Sequence, residues 1–232
     1  EMHTGDTDRL AVGGGTHSDR SIRMGGKVMV DASDQIIAKG KKIASHLLEA
    51  AEADVEFLAG RFTVAGTDRS IGIFEVARAA QNGNVPDDLA GPLAGEGQYV
   101  GRLPAYPNGS AVCEVEIDPA TGVVEIKRYS VVDDVGRVIN PMIVHGQTHG
   151  GIAQGVGQVL MENCVYEEGT GQLLAGSFMD YCMPRADDFP FFATEGNEVI
   201  TAGNPLGVKG GGEAGTTGAL AAVMSAIVDA LE

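Results

Sequence analysis

The spacing of apolar residues changes along the chain and predicts a succession of different elements. Residues 1–27 have almost no apolar periodicity and are rich in Gly, Asp, Thr and Ser, so we expect an extended loop. From Val28 to about Ala51 apolar residues recur at near-helical intervals with charged residues between them, which predicts a long amphipathic helix. Short strands at about 54–58 and 61–65 should follow, with a glycine at the turn between them.

The next stretch combines one short helix and one hairpin. Ser70 is expected to cap a helix over about 71–80, and residues 82–109 are rich in Gly, Pro, Asp and Asn, which is typical of a covering loop. Apolar and polar residues then alternate over 113–117 and again over 124–128, on either side of the turn sequence Asp-Pro-Ala-Thr-Gly. This pattern predicts a β-hairpin with one face in water.

Two further helices are predicted in the second half of the chain. Asn140 is a good N-cap and Pro141 a good first helical residue, so a helix should begin there and run to about Met161. Small and apolar residues over 215–231 predict a terminal helix, and residues 163–182 suggest additional short strands. Helices and strands do not alternate strictly, so we expect an α+β fold with mixed strands and long helices.

Composition narrows the function classes. The formal net charge of −16 argues against nucleic acid as a ligand, because phosphate binding needs an excess of Lys and Arg. No run approaches 18 uninterrupted apolar residues, so we expect no membrane span. The three cysteines, Cys113, Cys164 and Cys182, fit no metal-ligand spacing and are expected to be reduced thiols in a cytoplasmic protein.

Glycine is abundant, with 34 residues, and gathers in three segments. The first segment, Gly13–Ser21, combines glycines, hydroxyl groups and an arginine ahead of the long predicted helix. The backbone N–H groups of such a loop can bind an anion at a helix start. Ordinary helix capping explains the same local features, so both interpretations stay open at this point.

The second segment is Gly146–Gly157, with five glycines inside a predicted helix. Each glycine costs roughly 1 kcal/mol relative to alanine in a helix interior, so either close helix packing or a ligand must account for them. Gln147 and Gln154 can both donate and accept hydrogen bonds, which suits a heterocycle. His149 is a ligand or base, or else a packed and hydrogen-bonded side chain, and we favour the second interpretation.

The third segment, Gly207–Ala219, places a single carboxylate, Glu213, in a glycine-rich turn that leads into the terminal helix. If apolar surroundings enclose it, such a carboxylate suits a general base. The hydroxyl and N–H groups of Thr216 and Thr217 could hold an anion at the helix start. A solvent-exposed glutamate in a loop is the ordinary alternative.

Taken together, these segments resemble the C-terminal part of the molybdenum-binding large subunit of the xanthine dehydrogenase, aldehyde oxidase and aerobic carbon monoxide dehydrogenase family. The resemblance covers nearly the whole chain, in the family's order, and implies the family's molybdenum-cofactor-binding fold. It rests on the stretches Gly5–Asp8, Asp19–Ser21, Gly146–Gly151, Gln154–Gly157, Gly176–Tyr181 and Asn204–Gly215. We expect Gly176–Tyr181 to be structural, with Phe178 and Tyr181 in a core.

The resemblance implies roles for individual residues. Glu213 matches the family's catalytic glutamate, and Gln147 matches a glutamine near the pterin and the metal. Lys209 either neutralises a phosphate or lies exposed near the glycines. The implied cofactor-binding residues are Gln147, Ser18, Asp19, Arg20, Ser21, Gly212, Gly215, Thr216, Thr217 and Lys209. No side chain is assigned as a metal ligand.

The resemblance also implies an activity, cofactors and partners. A molybdenum hydroxylase inserts water-derived oxygen into an aldehyde, an N-heterocycle or carbon monoxide, and Glu213 would be the base that activates a metal-bound hydroxyl. Bacterial members with these motifs generally carry molybdenum with molybdopterin cytosine dinucleotide. Electrons leave through iron–sulfur clusters and FAD, so we expect an iron–sulfur subunit and an FAD subunit as partners, besides the rest of the large subunit and a small-molecule substrate.

Two features depart from the family pattern. Asp19 stands where the family usually has a small hydroxyl residue or glycine, so a carboxylate would repel the cofactor phosphates unless it turns away or pairs with Arg20 or Arg23. The chain also begins without methionine and ends within a predicted helix, and we expect a piece of a longer subunit that is inactive alone. Residues 1–100 should form the first part of the cofactor-binding region and residues 101–232 the second.

Two alternatives to a catalytic subunit remain. A non-catalytic cofactor-binding or scaffolding module could keep the same fold without turnover. A phosphate-binding nucleotide enzyme of another class is the weaker alternative, because the chain has no GxxxxGK[ST] loop and no dinucleotide-binding glycine fingerprint after a strand.

Overall fold

The structure is a computed structural model in which residues 5–9, 12, 13, 15, 17, 19–99 and 104–232 are described. The described residues form two compact units. One unit contains residues 24–102, and the other contains the described residues of 1–23 together with those of 103–232. The expected division near residue 100 places residues 1–23 with the first part, whereas their contacts in the structure group them with the second.

The first unit packs two helices on a small antiparallel sheet with strand order β1-β2-β3. Its elements are α1 (Gly26–Leu47), β1 (Val55–Leu58), β2 (Arg61–Val64), β3 (Ser70–Gly72) and α2 (Ile73–Gln81). The long helix and both strands predicted before residue 66 are confirmed. The turn glycine between β1 and β2, Gly60, has a φ of 79°, which is the conformation that favours glycine.

The core of the first unit joins one face of α1 to the sheet and to α2. Ile43 of α1, Phe62 of β2 and Val76 of α2 are fully buried in one cluster. Burying such side chains stabilises the unit by about 1.5–3 kcal/mol each before the entropy cost of ordering them. Because one face of α1 is buried in this cluster, the amphipathic pattern of the sequence predicts the helix correctly.

The prediction that Ser70 caps a helix is wrong. Ser70 begins strand β3, and its hydroxyl oxygen accepts hydrogen bonds from the guanidinium group of Arg61. Helix α2 begins later, at Ile73, and the Glu75 carboxylate accepts a hydrogen bond of 2.9 Å from the Gly72 amide. The chain uses the reciprocal half of a capping box here, because glycine has no side chain to cap with.

The second unit packs two helices against a three-stranded sheet with strand order β4-β5-β6. Its elements are β4 (Asn108–Ile117), β5 (Val124–Asp134), α3 (Pro141–Leu160), β6 (Ala193–Gly196) and α4 (Ala214–Leu231). Strands β4 and β5 are antiparallel, whereas β6 joins β5 in parallel. The α+β fold class is therefore confirmed.

The predicted hairpin is confirmed, with one irregularity. Glu114 pairs with Arg128, but Val115 pairs with Ile126, so Lys127 is an extra residue on β5. A bulge of this kind reverses the alternation of faces beyond it. Tyr129 consequently points into the core with no exposed surface, although strict alternation from the turn places it outside.

Both helices predicted in the second half are confirmed. The side chain of Asn140 accepts a hydrogen bond of 3.2 Å from the Ile143 amide, and Pro141 is the first residue of α3. The short strands predicted over 163–182 are wrong, because this stretch forms turns with one isolated β-bridge between Tyr166 and Leu173. Phe178 is also not in a core, since 89% of its surface is exposed.

Helix α4 consists mainly of small and apolar residues. Among the helices in the described residues, it is the one long and apolar enough to cross a membrane, judged by length and composition. That test is weak evidence, because core helices pass it as well. Ala219 and Val223 of α4 are fully buried in the same cluster as Tyr129 and Ile152, so packing accounts for one face of the helix.

Helices α3 and α4 pack with their backbones unusually close. A Cβ atom on Gly155 would lie 2.7 Å from the Cβ of Ala219 and 2.8 Å from the carbonyl oxygen of Thr216. A Cβ on Gly151 would lie 2.9 Å from the Thr216 amide nitrogen. Two of the five glycines in α3 are therefore explained by helix packing rather than by a ligand.

Replacing Gly155 by alanine should test this contact. The added methyl group has no room against the α4 backbone, so we expect a loss of about 1–3 kcal/mol in the free energy of unfolding, measured by chemical denaturation. Gly150→Ala is the matched control on the same helix. No heavy atom lies within 4 Å of a Cβ at position 150, and this variant should gain up to about 1 kcal/mol from helix propensity. Equal effects at both positions would contradict the packing argument.

Candidate cofactor site and glutamate loop

Glycine-rich segments that lie far apart in the sequence meet at the N-terminal end of α4. The side-chain amide of Gln147 donates a hydrogen bond of 2.8 Å to the carbonyl oxygen of Gly212. The Thr216 hydroxyl donates one of 3.1 Å to the side-chain oxygen of Gln154. Both bonds join α3 to the segment around Glu213, so the second and third glycine segments form one site.

The first segment reaches the same place through Asp19. A Cβ atom on Gly210 would lie 2.5 Å from one carboxylate oxygen of Asp19, and a Cβ on Gly212 would lie 3.6 Å from the other. Asp19 has a φ of 55°, a left-handed conformation that is uncommon for residues other than glycine. The carboxylate therefore lies against the glycines that precede Glu213. This is the carboxylate that the sequence analysis expects to repel the phosphates of the cofactor.

The other residues predicted in this loop are less closely defined. Ser18 lies outside the described residues. Arg20 is half-buried and its guanidinium group donates a hydrogen bond of 3.0 Å to the Gly15 carbonyl oxygen. Ser21 begins a short π-helical turn, Ser21–Gly25. The carboxylate of Asp19 is the group placed beside the glycines of the glutamate loop by the distances above.

Glu213 is the N-cap residue of α4, and its side chain is exposed. Its carboxylate makes no capping hydrogen bond to the helix. The Glu213 carbonyl oxygen, in contrast, accepts hydrogen bonds of 3.0 Å from both the amide and the hydroxyl of Thr217. The backbone of Glu213 is thus fixed to the helix while its carboxylate stays available, and the apolar enclosure expected from the sequence is not formed by these residues.

The chain before Glu213 is anchored to the end of β5. The side chain of Asn204 brackets Val208, donating to its carbonyl oxygen at 2.9 Å and accepting from its amide at 3.2 Å. The Lys209 amide donates a hydrogen bond of 2.9 Å to the Val135 carbonyl oxygen. Gly136 has a φ of 65°, and a Cβ there would lie 2.8 Å from the Lys209 amide nitrogen. Only glycine allows this close approach.

Lys209 forms an ion pair with Asp134, and each side chain is 11% exposed. The ammonium group is therefore engaged inside the protein and is not exposed, and its contact with a phosphate stays a prediction. Sequence reasoning also did not single out Asp134 or Asn204. The signal available for them was weak: two aspartates at the end of an alternating strand, and an asparagine in a turn.

His149 is packed among other rings. Its Nε2 atom lies 3.4 Å from the Thr194 hydroxyl, and its ring lies 4.1 Å from that of His145 between centroids. Phe191 and Phe192 make edge contacts with it at 5.8 and 5.4 Å. Burial, and then the neighbouring His145, lower the pKa of His149. These contacts agree with the packed, hydrogen-bonded interpretation.

Two buried polar groups of β5 have no hydrogen-bond partner among the residues that the structure describes. They are the Tyr129 hydroxyl and one carboxylate oxygen of Asp133, both on the inner face of β5. Burial raises the pKa of Tyr129 to about 12 and raises the pKa of Asp133 as well. Cys113, which pairs with Tyr129 across the hairpin, is a free thiol whose pKa burial raises to about 11. This part of the core is polar but unsatisfied.

The fold and this site define a cofactor-binding domain, and comparison with known proteins gives its family. Residues 1–190 match the molybdopterin cofactor-binding domain family. The chain belongs to this family, and its resemblance to the large subunits of molybdenum hydroxylases is confirmed.

Several relatives show how far the similarity extends. The gamma subunit of the 6-hydroxypseudooxynicotine dehydrogenase complex of Paenarthrobacter nicotinovorans is 39% identical over 97% of the chain, which spans 29% of that protein. The structure of reconstituted CO dehydrogenase from Oligotropha carboxidovorans matches with a TM-score of 0.87 and 34% identity, over 97% of this chain and 28% of the other. Quinoline 2-oxidoreductase from Pseudomonas putida 86 gives a TM-score of 0.77 and 36% identity, over 86% and 26%. The chain thus spans less than a third of these relatives.

The residues at the site suit a molybdopterin cofactor. The first-turn amides of α4 receive no side-chain cap, so a helix N-terminus is free to face an anionic group. Gly146 and Gly150 have no heavy atom within 4 Å of a Cβ position, which leaves one side of α3 open. Gln147 uses its amide nitrogen for the loop and keeps its oxygen as an acceptor. These groups would hold a cofactor by hydrogen bonds and backbone dipoles.

The raised pKa of the buried Asp133 carboxylate predicts whether its replacement stabilises or destabilises the protein at a given pH. Its pKa is raised in the folded protein, so the folded state favours the protonated form, and the ionised form destabilises the fold as pH rises through the folded pKa. Asp133→Asn should therefore raise the melting temperature at pH 7.5, with a gain that shrinks toward pH 4.

The control residue is Asp118, whose replacement should change the stability in the opposite direction. Asp118 is exposed, and hydrogen bonds from the Thr121 hydroxyl and then the Ala120 amide lower its pKa, so its contribution is present at neutral pH and lost as pH falls. Asp118→Asn should lower the melting temperature at pH 7.5 and have little effect near pH 3. A loss of stability for Asp133→Asn at pH 7.5 would contradict the argument.

Proposed function

We propose that this chain is part of a molybdenum hydroxylase in which Glu213 acts as the general base. The observation that carries the proposal is the hydrogen bond from Gln147 to the carbonyl oxygen of Gly212. Gln147 matches the glutamine that lies near the pterin in the family. The hydrogen bond joins its side chain to the peptide group directly before Glu213, the candidate base. A cofactor contact and the base are thereby held in one geometry, as oriented proton transfer requires.

The chain's own residues have simple tasks in this scheme. The cofactor, when bound, supplies redox capacity and lowers the pKa of the attacking water-derived group. Glu213 accepts the proton from that group at its carboxylate, which is free of hydrogen bonds to its own helix. Gln147 orients the loop, and the α4 N-terminus with Thr216 and Thr217 faces an anionic part of the cofactor.

We further propose molybdopterin cytosine dinucleotide as the form of the cofactor, and iron–sulfur and FAD subunits as partners. The proposal of partner subunits is supported by a relative that is named as the gamma subunit of a dehydrogenase complex, whereas the form of the cofactor rests on the resemblance of the motifs. Cys113, Cys164 and Cys182 show no spacing typical of an iron–sulfur cluster, and we therefore propose that the clusters are held elsewhere in the assembly. Candidate substrates are carbon monoxide and N-heterocycles such as quinoline, which the relatives' names indicate.

A non-catalytic cofactor-binding or scaffolding module is the second candidate function. One observation favours the scaffolding role: the Asp19 carboxylate lies beside Gly210 and Gly212, where negative charge would oppose binding of an anionic cofactor. The two functions differ in whether Glu213 matters for turnover, and a single variant separates them.

Glu213→Gln should abolish turnover and leave the cofactor bound. Removing the base costs roughly 10²–10⁴-fold in kcat, because the glutamine cannot accept a proton. Turnover is measured in the intact assembly with carbon monoxide, quinoline and 6-hydroxypseudooxynicotine and an artificial electron acceptor, and molybdenum is measured by elemental analysis. Glu168→Gln, in an exposed loop, is the control and should behave as the wild type. Full turnover by Glu213→Gln would exclude the proposed base.

The cofactor form is tested by chemical release. Acid hydrolysis of the purified assembly should release a cytosine nucleotide in stoichiometric amount with molybdenum, detected by chromatography. Release of a different nucleotide, or of none, would exclude the dinucleotide form while leaving the family membership intact.

A further inference from the structure

The loop that carries Glu213 is held at the end of β5 by a residue that takes no part in the proposed chemistry. We propose that Asp134 is a positioning residue for Glu213, acting through its ion pair with Lys209. The inference rests on the proposed function, because it concerns the competence of the proposed base. It assigns to Lys209 a role in anchoring the loop instead of a role in binding phosphate.

Asp134 occupies a junction of three chain segments. It is the last residue of β5, and one of its carboxylate oxygens accepts hydrogen bonds from the amides of Gly136, at 2.9 Å, and Val199, at 3.1 Å. The other oxygen binds the ammonium group of Lys209. Burial by itself would raise the pKa of Asp134, but the hydrogen bonds from Lys209 and the two amides outweigh it and lower the pKa. Asp134 is thus an ionised acceptor with both oxygens in use.

Lys209 lies directly before the glycines that lead to the candidate base. Gly210, Gly211 and Gly212 separate Lys209 from Glu213 and have no side chains to hold the loop in place. Glycine backbone is the most costly to order, so its path must be set by its two ends. Gln147 fixes the far end at the carbonyl oxygen of Gly212, and the Asp134–Lys209 pair fixes the near end.

The ion pair gives the near end a defined geometry. Backbone hydrogen bonds from Lys209 to Val135, at 2.9 Å, and from Gly210 to Ala105, at 3.4 Å, hold the main chain here, and the ion pair adds a side-chain contact to them. A buried ion pair gains little net stability, yet removal of one partner leaves a charge that water cannot reach. The pair therefore resists alternative loop paths that would separate Lys209 from Asp134.

Hydrogen–deuterium exchange in the intact assembly tests the anchoring directly. In Asp134→Asn and Lys209→Met, amides over 210–217 should exchange about tenfold faster than in the wild type, because the near end of the loop is released. Amides over 150–157 of α3 should exchange unchanged. The double variant with both substitutions buries no unpaired charge, and its loop should still exchange faster. Lys209→Arg keeps the charge and should stay close to the wild type.

Kinetics distinguish positioning from general damage. With a substrate that the assembly turns over, both single variants should lower kcat by about tenfold at unchanged KM and unchanged molybdenum content, because misplacement of the base affects the chemical step. Lys127→Met is the matched control: it removes an exposed ion pair with Glu116 and Glu125 on the same sheet and should change neither readout.

Three results have separate meanings. Wild-type exchange over 210–217 in all Asp134 and Lys209 variants would overturn the inference. So would faster exchange that extends throughout α3 with loss of molybdenum, since that is a defect of the whole fold. Full turnover by Glu213→Gln would overturn the proposed function, whereas the exchange results would still decide whether Asp134 anchors the loop.

Discussion

The close backbone contact between α3 and α4 is the constraint on which the site depends. It brings Thr216 within hydrogen-bond distance of Gln154 and lets Gln147 reach the carbonyl oxygen before Glu213. Any side chain at Gly151 or Gly155 would push the helices apart, because backbone atoms of α4 lie opposite both positions. The glycines of α3 therefore contribute to the site indirectly. They set the distance between α3 and α4 that the side chains of Gln147 and Gln154 span with their hydrogen bonds.

A second constraint operates on the other side of the glutamate loop. The end of β5 presents Asp134 and Gly136, and the segment that ends at Lys209 is fastened to them by both side-chain and backbone contacts. Glu213 thus lies between two supports, one on α3 and one on the sheet. This arrangement suits a group that must accept a proton from a fixed partner, because its backbone is ordered while its carboxylate makes no capping hydrogen bond to the helix.

The sequence pattern was most informative where one face of an element is buried and the other is in water. Helix α1 and the β4–β5 hairpin could be predicted from periodicity for this reason, and Asn140 with Pro141 marked the start of α3. Prediction failed where turns or tertiary contacts decide. Ser70 resembles a helix cap but belongs to a strand, and the side chain of Phe178 lies in solvent although its sequence suggested a core. The bulge at Lys127, which turns Tyr129 inward, has no local signal.

By itself the sequence determined the fold class, because amphipathic periods are local features, and the resemblance of its motifs to a known family indicated the family and Glu213 as the candidate base. Only the tertiary structure decided which of these residues meet. It joined Gln147 to the peptide before Glu213, placed Asp19 against Gly210, and paired Lys209 with Asp134 across 75 positions of sequence. Such partners are set by how helices and strands pack, and a buried charge finds its counter-ion only once the chain has folded.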